Sequence, residues 1–256
     1  MARDSGVLDG AAAVSLARRA VLSGALVLAH AAAMAQERVG HALGEFEILA
    51  APEGVLVAAP HGTADAYSDR IAIAAAGELR AGYLVARRFM PPRVRINVNR
   101  PTEGAFLPCA EEAHTDRARD VYEAYGGLVA RAAAGNPLRL YVEVHGNSNA
   151  QTARNIEVAT VGITAAQARK VKEAYAGMLA RARERAPDYP EFNLLIQPVD
   201  RVYYTAGCAK KLGIFASEWV PRGLHFEFPR VAREGDALRA SVSLVSDIVR
   251  LVLDNP

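Results

Sequence analysis

Short apolar runs that break off at turns carrying histidine, arginine or glutamate punctuate this chain, and helical stripes fill the intervals between them. Gly54–Ala59 (GVLVAA) stops at Pro60-His61-Gly62. Leu138–Val144 (LRLYVEV) runs straight into His145-Gly146-Asn147, and Leu224–Phe228 (LHFEF) carries its own His225 and Glu227. Short runs of this kind suit strands whose two faces are both covered. Gly82–Ala86, Val94–Val98, Ile156–Val161 and Asn193–Gln197 supply further short strands. Between them Asp69–Arg80, Glu111–Ala134, Thr164–Ala186 and Asp236–Leu253 space their apolar residues as helices do. The alternation predicts α/β architecture: a single domain with a mostly parallel or mixed central sheet flanked by helices. Ligands of such sheets bind at the carboxyl ends of the strands, where the polar turns fall.

Composition narrows the function classes. The 256 residues suit one core. Thirty Lys and Arg against 28 Asp and Glu leave a charge of +2, too small a field to grip nucleic acid. The two cysteines, Cys109 and Cys208, are too few for a thiolate zinc site, and the sequence leaves their pairing open. Residues 15–35 (SLARRAVLSGALVLAHAAAMA) place Arg18-Arg19 before an apolar run and end on Ala33-Met34-Ala35. That is the order of an export signal, and the paired arginines resemble the twin-arginine type. The expectation is a signal over residues 1–35 and one domain over 36–256, periplasmic or secreted after cleavage. No membrane span is expected in the mature chain, since no apolar run reaches about 18 residues without a charge or His.

Four clusters carry the chemistry. His61 leaves a strand with Asp65 four residues on, and Asp69 stands in reserve; imidazole and carboxylate together suit zinc. Asn99-Arg100 offers amide and guanidinium donors that fit a substrate carboxylate. His145 leaves another strand with Glu143 on the same face, and Glu227 with His225 faces away from Phe226 and Phe228. A glutamate so placed is a general-base candidate. The bland alternatives are a helix cap, a loop brace, a structural histidine and a salt bridge to Arg222 or Arg230. Other chemistries lack their motifs: G-x-S-x-G, G-x-G-x-x-G and the Walker loop are all absent.

The order of these parts resembles the zinc carboxypeptidase superfamily, whose fold is of the phosphorylase/hydrolase-like type. The wording PHGTADAYSD, NVNRPTEG, VEVHGN and HFEFPR is more similar to its N-formylglutamate amidohydrolase branch. The resemblance implies one zinc ion per chain held by His61, Asp65 and His145. It also implies Glu227 as the group that moves the water proton, and Asn99 with Arg100 as the grip on a substrate carboxylate. The reaction implied is hydrolysis of an amide bond in an N-acyl amino acid or small peptide. This sequence departs from the superfamily at Ala64, where the metal-binding carboxylate usually stands three residues after the histidine. Two alternatives follow: an exported cell-wall peptide carboxypeptidase or amidase, and a non-catalytic exported binding protein.

Overall fold

The computed structural model describes residues 36–89, 95–104 and 107–255, and one compact unit begins at Gln36. The expected signal over 1–35 lies outside the described residues. Strands β1 (Glu37–His41), β2 (Gly44–Leu49), β3 (Val55–Ala59), β4 (Gly82–Arg87), β7 (Leu140–Asn147), β8 (Asn155–Val161), β9 (Asn193–Ile196) and β10 (Gly223–Pro229) form one sheet. Its order is β1-β2-β4-β3-β7-β10-β8-β9. The middle four, β4, β3, β7 and β10, are mutually parallel, while β2 and β8 run antiparallel to their inner neighbours. The sheet is therefore mixed with a parallel centre.

Both faces of the sheet are covered. Val55, Val57, Val142, Val144, Phe226 and Phe228 point to the face beneath α1 (Ser68–Leu79), α3 (Ala165–Arg185) and α5 (Ala237–Leu253). Small side chains on α1, namely Ala72, Ala75 and Ala76, let it lie close to that layer. Thr164 and Gln167 close a capping box at the start of α3, so two otherwise unpaired backbone donors are satisfied there. On the opposite face Leu56, Ala58, Leu84 and Tyr141 pack with α2 (Asp116–Ala132) and with Ala209 of α4 (Gly207–Leu212).

Two sequence expectations need correction, and one element was not foreseen. The helix expected from Glu111 starts only at Asp116, where Thr115 caps it by accepting from the Ala118 N–H; Cys109–Glu111 is a separate 3-10 turn. The strand expected over Val94–Val98 reduces, among the described residues, to β5 (Ile96–Asn97). It pairs with β6 (Thr102–Glu103) in a ribbon apart from the main sheet. The β1–β2 hairpin had no counterpart in the sequence reading, because β1 is largely exposed and lacks an apolar run.

Cys109 and Cys208 are joined in a disulfide across 99 positions of sequence. It ties the turn before Glu112 to α4, and both segments lean on the same corner. Glu112 accepts from Arg100 and Thr102, and the Ile214 N–H donates to the Asn99 carbonyl at 2.9 Å. Closing so long a loop restricts the unfolded chain strongly. Replacing both cysteines by serine is expected to lower stability by about 2–4 kcal/mol in urea unfolding.

Candidate metal centre

The site is built where the three innermost parallel strands end. β7 pairs with β10 so that Glu143 lies beside His225 and His145 beside Glu227. Side chains alternate along a strand, so Tyr141, Glu143 and His145 all project to the face opposite Val142 and Val144. β3 pairs with β7 on its other side, and the turn after Ala59 brings His61 and Asp65 over the same face.

Three donor atoms meet there. His61 Nδ1 lies 3.2 Å from His145 Nδ1 and 3.3 Å from Asp65 Oδ2, and His145 Nδ1 lies 3.2 Å from that same oxygen. All three residues are buried. Ligands held about 2.0–2.1 Å from a tetrahedral zinc ion stand about 3.3–3.4 Å from one another. The trio therefore has the edge lengths of one face of such a tetrahedron. Two imidazole nitrogens turned toward each other have no attractive contact unless a proton or a cation lies between them. The fit to zinc is thus one of both donor type and spacing. His61 Nε2 is the one poor feature: it is buried without a hydrogen-bond partner.

Glu143 lies beneath this trio and is fully buried. His145 Nε2 lies 3.0 Å from one of its oxygens, a contact that turns His145 Nδ1 toward His61 and Asp65. Its other donors are Asn99 Nδ2 at 3.0 and 3.1 Å, Tyr141 Oη at 2.9 Å and His225 Nδ1 at 3.0 Å. His225 Nε2 in turn reaches Glu227 Oε1 at 3.4 Å, so that imidazole joins the two carboxylates. Asn147 Nδ2 lies 3.4 Å from the other Glu227 oxygen. Asn147 also lines a cleft together with Ser148, Asn149, Pro229, Arg230 and Val231. Glu143, His145 and His225 also form a second group of close metal-type donors, sharing His145 with the first. The Glu143 carboxylate already has four donor side chains, so that group is a hydrogen-bond network.

Electrostatics divides His61 from His145. Burial, reinforced by the charge of Arg95, pushes His61 down to about 3 and keeps the ring neutral. Burial also opposes charge on His145, but its hydrogen bonds to the Asp65 and Glu143 carboxylates outweigh that and raise the ring to about 10. Burial alone would raise both carboxylates. The His145 and His61 contacts instead hold Asp65 well below the usual range, and His145 with His225 does the same for Glu143.

The sequence-predicted residues are distributed as follows. His61, Asp65 and His145 come together, and Glu227 stands one strand over from His145. Asp69 does not join them; it accepts from Arg87. Glu227 has neither of the salt bridges weighed for it, since Arg230 pairs with Glu234 and Arg222 donates to the Val252 carbonyl. Asn99 is turned to Glu143, and the Arg100 guanidinium donates to Glu112 and to the Asn99 side-chain oxygen Oδ1. Glu112 and Tyr141 carry no motif and were missed. The role of Glu143 was legible only as a shared face with His145.

No family model matches the chain, and no curated protein sequence matches it. Among solved structures it is similar to a bacteriophage poly-gamma-glutamate hydrolase at 9% identity and TM-score 0.46, over 84% of this chain and 91% of that one. A gene product of Agrobacterium tumefaciens matches at 13% identity and TM-score 0.46, over 80% and 93%. A metallo-carboxypeptidase from Burkholderia cenocepacia matches at 14% and 0.42, over 84% and 65%. At these scores the likeness carries no functional weight, and the reading below rests on this chain's own side chains.

In the metal-free protein at pH 8 the His145 ring holds a proton that a metal ligand must give up. Zinc binding at that pH is expected to release about one proton per ion. Calorimetry in buffers of different ionisation enthalpy checks the number. By the same linkage, His145 stabilises the metal-free fold fully below its unfolded pKa of about 6.5, and that contribution is lost as pH rises through about 10.

Proposed function

We propose that this chain is a zinc-dependent hydrolase that cleaves an amide bond in a carboxylate-bearing N-acyl amino acid or small peptide. We also propose that it belongs with the N-formylglutamate amidohydrolase-like branch of the zinc carboxypeptidase superfamily. The observation that carries the reading is the trio of His61 Nδ1, Asp65 Oδ2 and His145 Nδ1 at tetrahedral edge lengths, with Glu227 on the adjacent strand. His61, Asp65 and His145 would hold one zinc ion per chain. Zinc in such a site supplies Lewis acidity, which lowers the pKa of water and polarises a carbonyl. Glu227 takes the proton from the attacking water and passes it to the departing nitrogen. His225, in contact with both Glu227 and Glu143, orients that carboxylate. Asn147 borders the cleft and steadies the second Glu227 oxygen.

The substrate carboxylate is assigned to the Asn99–Arg100 corner. There it has to take the place of Glu112 on the Arg100 fork, since Glu112 now occupies it. The case for a non-catalytic binder drew on Ala64, and Asp65 reaching both imidazoles removes that support. The disulfide favours an oxidising compartment, in keeping with an export signal over residues 15–35.

Purified protein is expected to hold about one zinc per chain, and the His61→Ala/His145→Ala double variant none. Glu227→Gln is expected to keep the zinc and lose about 10²–10⁴-fold in turnover. Turnover is measured on whichever of N-formyl-L-glutamate, other N-acyl amino acids and short peptides the native protein cleaves. Zinc absent from the native protein, or undiminished turnover in Glu227→Gln, overturns the reading.

A further inference from the structure

Arg233 follows β10 in the turn before α5 and is 3% exposed. Its hydrogen bonds all go to backbone carbonyls, and those carbonyls come from three separate segments: the end of β10, the end of β7 and the turn after β3. Nε donates to Phe228 at 3.2 Å, Nη2 to Asn147 at 3.3 Å, and Nη1 to Ala66. Ala66 is the neighbour of Asp65, Phe228 is the neighbour of Glu227, and Asn147 lies two residues beyond His145 while its side chain faces Glu227. One guanidinium thus reaches the backbone beside a donor of each kind that the site needs. We infer that Arg233 is a positioning residue for this site: its fork ties the ends of β7 and β10 to the turn after β3 so that Asp65, His145 and Glu227 keep their spacing.

Two features support more than incidental packing. The chain makes room for the guanidinium at Gly146, the residue after His145, where any Cβ would overlap the Arg233 head group. A buried cation is also an expensive way to satisfy three carbonyls, since its desolvation cost is large unless negative charge lies near. Burial outweighs the charges around it, and the carboxylates that offset that cost are Asp65 and Glu227 of the site and then Glu234. Only arginine offers five donors in a rigid plane, so a lysine at this position keeps the charge but cannot bridge the three segments in the same way.

The inference rests on the metal reading above and is tested by Arg233→Lys and Arg233→Gln. Zinc affinity is measured by competition with a chromophoric chelator. The visible absorption of the cobalt(II)-substituted protein reports ligand geometry, and thermal unfolding reports the fold. Folded variants with zinc affinity about tenfold weaker and altered cobalt bands, not restored by lysine, support the proposal. Folded variants with affinity within about twofold of the native protein and unchanged bands overturn it. If neither variant folds, Gly146→Ala displaces the guanidinium without removing it, and the same two readouts decide. The His61→Ala/His145→Ala protein is titrated alongside. Zinc retained by that protein overturns the metal reading itself, whereas zinc lost there but undisturbed at position 233 removes only the role of Arg233.

Discussion

A carboxylate with no access to water sets the terms for the rest of this structure. Glu143 lies in the central strand of an eight-stranded sheet, where burying an ionised group is tolerable only if its oxygens are fully engaged. Four side chains meet that demand: His145, His225, Asn99 and Tyr141. Each is thereby fixed in orientation. The bond to His145 decides which imidazole nitrogen turns toward His61 and Asp65. The bond to His225 decides which of its nitrogens is left for Glu227. The donor geometry at the surface of the site is thus set from below, by the needs of one buried charge.

The same demand extends outward in layers. Asn99 can serve Glu143 only while its loop is held in place. That loop is held by Glu112 on Arg100 and Thr102, and by the Ile214 N–H on the Asn99 carbonyl. The Cys109–Cys208 bond joins the two segments that supply these contacts. Tyr125 extends the network in the other direction by sharing a 2.6 Å hydrogen bond with Tyr141, which carries the chain of contacts into α2. A polar core of this size is rigid only when complete, because each buried member left unpaired costs more than its bond contributes when made.

Much of this was legible in the sequence, and the limits have physical causes. Apolar runs ending in His61, His145 and the His225–Glu227 pair marked the parallel strands and their carboxyl ends, because a doubly covered strand leaves an unbroken apolar signature. The final helix and the helix cap at Thr164 were readable from local chemistry alone. The β1–β2 hairpin was invisible, since an edge strand facing solvent needs no apolar run. The choice between Asp65 and Asp69 was also beyond the sequence. It depends on where the turn after β3 closes, and Arg87 on β4, far along the chain, takes Asp69 for itself. Arg233 acts on segments distant in sequence and Glu112 on residues 10 and 12 positions back, so neither follows a helix or strand period.

The polar alternation of β7 has a consequence for folding. Tyr141, Glu143 and His145 occupy one face of that strand, and Leu140, Val142 and Val144 the other. Side chains alternate with a period of two, so a slip of one residue against β3 or β10 would exchange the faces entirely. Glu143 and His145 would then lie among the apolar side chains under α1, α3 and α5 with no donors to meet them, while valines would fill the polar face. The energetic penalty for that error falls on the residues that build the site. Side chains gathered for chemistry therefore also act as the key that admits a single strand register.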